Sequence, residues 1–407
     1  MGSISIFQKV QLRSIGGHFS PSSQTAYLYR SMRSSGHWEY EEKSSSPYGS
    51  VFGLDFSPRG DVVIAACEKN SILMFDPYTH RCVKAVGRAH NDCVNGVRFL
   101  DHRTFLTCSD DMTIALWDIR NVDQKVTSLE GHTGWVKSIE YSYREKMVVT
   151  TGFDNTVRVW ETNTFSDDYT IGYVVFTIQY STRLKLTSDD NKMVIATSVG
   201  LILVIHKLSL TFLQEDMRGF NPLEVWMAHR DGDRRYTETL HFQHNRNRVQ
   251  FISDYLPDMY PWSINSIEIH PKGKCVLSRF VSEEFNSEWT TIHALETKTD
   301  DNRSLLWYTE EANRERDYIK EICFSADGRV ACSPFAYGIR LFSPTVDCDV
   351  FTEPEEFDDM QPTELVEINS VISHKNVVLT TKFSPVHMLF VSGCLGGRVC
   401  FSQPHLA

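Results

Sequence analysis

The sequence predicts an all-β fold, a ring of repeated four-stranded units, and three observations carry that expectation. Asp111–Trp117–Asp118 returns 43 residues later as Asp154–Trp160–Glu161. A histidine stands a fixed distance ahead of each, His90 and His132, 42 residues apart. The intervening stretches, HNDCVNGVRFLDHRTFLTCSDDMTIALWD (90–118) and HTGWVKSIEYSYREKMVVTTGFDNTVRVWE (132–161), alternate apolar and polar residues. That period of two is what a pleated strand imposes on side chains. A repeat near 40–45 residues with this content marks a β-propeller, in which each unit is one blade.

Taken in order, residues 1–47 are Ser-rich and weakly patterned, and are expected to be a flexible leader. Within it, AYLYR (26–30) is the candidate strand for closing the ring against the last blade. Residues 48–407 are then the propeller. YGSVFGLDFSPRGDVVIAACEKNSILMFD (48–76) is a copy with Phe-Asp in place of Trp-Asp, and its FSPRG turn has Pro and Gly where a hairpin needs them. The two strongest copies follow. TIQYSTRLKLTSDDNKMVIATSVGLILVIH (177–206) keeps the strand rhythm without Asp-x-Thr or Trp. Residues 207–261 break the rhythm and read as an insertion. Its stretch 229–250 is basic and unpatterned, so it is expected to be solvent-exposed and dispensable for folding. WSINSIEIHPKGKCVLSRF (262–280) with WTTIHAL (289–295), then DYIKEICFSADGRVACSPFAYGIRLFS (317–343), restore the pattern. A second insertion is placed near 344–370, where 347–367 carries nine carboxylates and two prolines. HKNVVLTTKFSPVHMLFVSGCLGGRVCFS (374–402) is the last copy. The count is seven blades, with six and eight as the alternatives because the middle is worn.

The repeated polar residues are the kind that must be buried together. A histidine, a strand Ser or Thr, a turn Asp and an indole can satisfy one another in a chain, whereas each alone would be costly to bury. The expected chains are His90, Thr107 or Ser109 (Ser109 preferred), Asp111 and Trp117, and His132, Thr150 or Thr151, Asp154 and Trp160. These residues are read as scaffold rather than as catalytic groups.

Composition narrows the function. No apolar run reaches the ~18 residues a membrane span requires; the longest candidate, VGLILVIHKL (199–208), ends in a charge. The ten cysteines fall mostly in strand-like runs and include no C-x-x-C, which points to buried thiols in a reducing intracellular compartment, cytoplasm or nucleus. A formal charge of −11 argues against nucleic-acid binding through the whole surface. There is no G-x-x-x-x-G-K-[ST], no H-E-x-x-H and no G-x-S-x-G, so no enzyme, cofactor or metal is expected. His241 and His244 lack a third ligand in sequence. Arg230, Arg234, Arg235, Arg246 and Arg248 form a local basic patch that could read an acidic or phosphorylated client.

LWDIR (116–120) sharpens the reading. Trp117-Asp118-x-Arg120 resembles the W-D-x-R box of WD40-repeat substrate receptors of cullin-4-type RING ubiquitin ligases. The wider run, ACE…LMFDP (66–77), AHNDCVNGVRFLD…TCSDDMTIALWDIRN (89–121) and GHTGWVKSIEYS…TTGFDNTVRVWETN (131–163), is similar to the same family over roughly residues 48–215. The resemblance implies a non-catalytic receptor that docks to the ligase's adaptor through Trp117, Asp118 and Arg120 and recruits client proteins. It also implies adaptor contacts from a helix ahead of the propeller, for which residues 4–15 are the candidate. The sequence departs from the family where neighbouring blades end Phe75-Asp76-Pro77-Tyr78 and Trp160-Glu161-Thr162-Asn163, leaving a single box. The rival readings are a WD40 scaffold of another intracellular complex and a phosphopeptide or nucleic-acid reader using the basic patch.

Overall fold

The computed structural model describes residues 21–405 except 41–45, 163–171, 179–180, 219–236, 241–247, 260, 283–286, 297–303, 314–317 and 352–360. Seven sheets follow one another along the chain, antiparallel except where Thr363–Glu364 joins one of them in parallel. Blade 1 is built from Val51–Phe56, Val63–Cys67, Ser71–Asp76 and Arg81–Val86. Blade 2 uses Val94–Phe99, Thr104–Ser109, Ile114–Asp118 and Thr127–Leu129. Blade 3 uses Val136–Ser142, Met147–Gly152, Thr156–Glu161 and Tyr173–Thr177. Blades 4, 5 and 6 open with Ser181–Leu186, Pro261–Ile269 and Cys323–Phe324. Blade 7 consists of Val378–Phe383, Phe390–Cys394 and Val399–Pro404, completed by Met32–Trp38 from the other end of the chain. The chain is a seven-bladed propeller.

Period-two alternation is what welds neighbouring blades. In Val63–Cys67 every residue is buried. Val63, Ala65 and Cys67 face a cluster containing Leu389, Val391, Val399 and Phe401 of blade 7. Ile64 and Ala66 face one containing Val94, Phe99, Phe105 and Trp117 of blade 2. One strand thus supplies two interfaces, and the hydrophobic effect acts between blades rather than inside them. Strand direction also defines two faces. First and third strands run toward a lower face, which carries the turns after them. The turns between second and third strands, and the crossings from blade to blade, lie on the upper face.

Three expectations change. Residues 26–30 belong to helix α1 (Pro21–Arg30) rather than to the closing strand, which begins two residues later at Met32. The segment from 21 to 40 is therefore ordered structure, not loose leader: Ala26, Tyr29 and Met32 pack with blades 6 and 7, and Tyr29 donates its hydroxyl to Asp327 at 2.7 Å. The stretch 229–250 is not all exposed loop. Arg248–Ile252 pairs with the third strand of blade 4 and Thr237–Leu240 pairs outside it, with Val249 and Phe251 fully buried. Sequence alternation is hidden there because the blade's fourth strand arrives only after a long excursion that includes helix α2 (Leu210–Asp216). Likewise, 363–372 is not loop: Thr363–Glu364 adds to blade 5 and Val366–Ile372 is the outer strand of blade 6. Among the described residues no helix is long and apolar enough to cross a membrane.

Candidate functional site

Each full repeat builds an internal polar frame, and donor counting fixes its order. The Asp111 carboxylate can only accept, so His90 Nδ1 carries the proton it shares across 3.0 Å. In a neutral ring His90 Nε2 then accepts, and the Thr107 hydroxyl donates to it at 2.7 Å. Thr107 Oγ1 in turn accepts the Trp117 indole N–H at 2.8 Å. Blade 3 repeats the frame: His132 to Asp154 at 2.8 Å, Thr150 to His132 at 2.8 Å, Trp160 to Thr150 at 2.9 Å. The strand member is Thr107, not Ser109, whose hydroxyl instead caps the Asp111 backbone N–H at 3.0 Å. Both residues lie on one face of the strand, and only the register, with Thr107 opposite Ala115, separates them.

Burial alone would raise the Asp111 carboxyl, but bonds from His90, the Asn91 N–H and the Thr113 hydroxyl hold it far below the usual range. Burial pushes the His132 imidazole down, against the pull of Asp154. A neutral His132 ring leaves Nε2 to accept from the Thr150 hydroxyl. These groups are sealed inside blades, and their chemistry is structural.

Trp117 is 1% exposed. Although the resemblance groups it with Asp118 and Arg120, its indole sits in the core and cannot meet a partner. Its role is to fix the strand end from which the next residues emerge on the lower face. There the Asp118 carboxylate accepts the Arg120 backbone N–H at 3.0 Å and the side-chain Nε at 3.3 Å. Arg103, which the sequence reading missed, crosses from the preceding turn to the same carboxylate at 2.7 Å. The Arg120 side chain is 64% exposed. The turn after blade 1 has the same construction: Asp76 accepts the Tyr78 backbone N–H at 2.8 Å. Tyr78 therefore occupies in blade 1 the place of Arg120 in blade 2. It is largely exposed, and its hydroxyl lies 2.7 Å from His387 Nε2 of blade 7. Matching FDPY to WDIR would have found it. Helix α1 lies on the same face, where Arg30 reaches the Val346 carbonyl in the turn after blade 6's third strand.

Of the basic patch, Arg230, Arg234, Arg235 and Arg246 lie outside the described residues, as do His241, His244 and the 4–15 segment. Arg248 begins the fourth strand of blade 4, opposite His206.

The WD domain, G-beta repeat family matches residues 81–118 and 123–161. The chain is 40% identical over 387 residues to DDB1- and CUL4-associated factor 10 of Danio rerio, covering 89% of this chain and 76% of the relative. Its counterpart in Xenopus laevis is 39% identical, with 89% and 86% covered. That of Homo sapiens is 38% identical, with 89% and 70% covered.

Proposed function

Because the chain belongs to the DDB1- and CUL4-associated factor 10 family, we propose that it is the substrate receptor of a cullin-4 RING ubiquitin ligase, docked to the DDB1 adaptor by its lower face. Such a receptor performs no chemistry of its own. It raises the concentration of a bound client beside the ligase's catalytic arm, so that a weak contact becomes productive.

The observation that carries the docking is Arg120: a mostly exposed guanidinium on a rigid strand end, anchored by one carboxylate that also holds Arg103. A planar guanidinium can donate two bonds to a carboxylate or carbonyl pair in a fork that an ammonium cannot reproduce. Tyr78, one blade away, supplies an exposed ring where a second box would have supplied another arginine. Helix α1 extends the same face past blades 7 and 6. Ten free cysteines support a place of action inside the cell.

Affinity capture of the tagged chain with ligase activity blocked, followed by mass spectrometry, tests the reading. DDB1 and CUL4 are expected to co-purify with the wild-type chain and to be depleted from Arg120→Ala. A capture containing other complexes and neither protein would overturn the ligase assignment and favour a scaffold in a different assembly.

A further inference from the structure

Blades 2 and 3 share one internal frame, and strand register aligns the positions around it. Val94 lies opposite Ser109 as Val136 lies opposite Gly152. The residue before the valine is Cys93 in blade 2 and Trp135 in blade 3. The residue after it is Asn95 in one and Lys137 in the other. Before the turn aspartate stand Asp110 and Phe153. Blade 2 closes its frame with small or polar groups at these places, so the frame does not require large rings. Yet Trp135 and Phe153 are 48% and 53% exposed on the upper face, 5.7 Å apart with their planes tilted by 32°.

A cation already sits against both rings. Lys137 Nζ lies 4.9 Å from the Trp135 centroid and 5.3 Å from that of Phe153. Asp110 approaches the same nitrogen to 2.8 Å and Asn95 Oδ1 to 3.2 Å. Asp92, itself exposed, stands next to Asp110. Two ring faces carrying negative quadrupole and the Asp110 carboxylate thus meet a single ammonium, with the Asp92 carboxylate beside Asp110, in a chain whose formal charge is −11. The surroundings hold more attraction for positive charge than one lysine uses.

Resting on the receptor reading, we infer that Trp135, Phe153, Asp110 and Asp92 form a seat for a lysine or arginine side chain of a client protein, and that Lys137 fills it until the client arrives. The seat selects a basic segment, because an acidic one would meet Asp92 and Asp110. It lies on the face opposite Arg120, so client and adaptor can be held together.

The probe is fluorescent deca-lysine, with deca-glutamate as its opposite, titrated with the full chain at physiological salt and read by polarisation. Deca-lysine is expected to bind and deca-glutamate not. Trp135→Ala/Phe153→Ala, which removes two half-exposed rings and no core contact, should weaken binding by about tenfold or more. Lys137→Ala should strengthen it by vacating the seat. Deca-lysine that fails to bind, or binds the double variant as well as wild type, overturns the site; an unchanged or weaker affinity in Lys137→Ala overturns self-occupancy. DDB1 capture is measured on the same samples and should be untouched by the upper-face variants. A wild-type chain that binds deca-lysine through the rings but captures no DDB1 would sink the ligase reading and leave the seat standing.

Discussion

Thr107 shows how much rests on one hydroxyl. It donates to His90 and accepts from Trp117, so removing it strands an imidazole nitrogen and an indole N–H inside the blade at once. Thr107→Val, nearly isosteric, should therefore destabilise by about 1–3 kcal/mol, the usual cost of orphaned buried polar groups. Chemical denaturation would read it, and a midpoint equal to wild type would mean the frame is ornamental. Arg120 is the contrasting case. Its bond to Asp118 is solvent-exposed and Arg103 remains to hold the carboxylate, so Arg120→Ala should change stability by less than about 0.5 kcal/mol. If Arg120 bonds the adaptor, the same change should cost about 2–5 kcal/mol of binding. Even the lower figure is about a thirtyfold loss at about 1.4 kcal/mol per tenfold, and Arg120→Lys should recover only part of it. Titrating DDB1 against the three proteins separates these outcomes. His90, Asp111, His132, Asp154 and both tryptophans were legible in sequence because the frame needs those atoms at that spacing. The choice between Thr107 and Ser109 was not, since both point the same way and only the neighbouring strand distinguishes them.

At the scale of elements, legibility followed spacing. Blades 1, 2 and 3 fit their strands into short, turn-punctuated repeats and could be read directly. Blade 4 could not, because its fourth strand, Arg248–Ile252, is separated from the third by about forty residues and is paired on its far side by Thr237–Leu240. Strands that pair across such a distance leave no local period to detect. The burial of Val249, Phe251 and Ile252 makes a definite statement. Replacing residues 237–252 by a Gly-Ser linker should lower the thermal midpoint strongly, and Phe251→Ala alone should cost about 3–5 kcal/mol. A linker variant that melts like wild type would show that the blade needs only three strands. The closing strand teaches the same lesson from the other end of the chain. Deleting residues 1–40 would remove Met32–Trp38 and open blade 7, so any adaptor contribution from the leader must be tested with deletions ending before Pro21.

For the whole molecule, buried histidines and carboxylates make acid the common weakness. Burial depresses the imidazoles of His132, His270 and His374, the last to about 3. For these bases the unfolded chain takes up the proton first. The stability they contribute is complete above the ordinary histidine value of about 6.5 and is lost as pH falls toward the folded values, by at most about 1.4 kcal/mol per pH unit for each. Asp111 and Asp154 are held below the usual carboxylate range, so their contribution is complete above about pH 4 and is lost only beneath it. Urea midpoints should thus decline in two stages, one beginning near pH 6.5 and a second below about pH 4. His374→Gln should flatten the first stage, and a midpoint constant from pH 8 to pH 5 would contradict the assignment. Ring count and blade order were legible from the repeat. The division of labour between faces was not, because strand direction decides it and a linear pattern records only alternation.

The strand that completes blade 7 also sets a problem of timing for the ribosome. Met32–Trp38 is made long before its partner, Val399–Pro404. At about 5–20 residues per second the early strand waits roughly 20–70 s as an unpaired edge, open to the wrong neighbour on the next nascent chain. Its sequence, MRSSGHW, has one buried residue and is otherwise polar, small or only half-covered. Those residues contribute little to the finished core, but in the interval they keep the waiting edge wetted and unattractive to another strand.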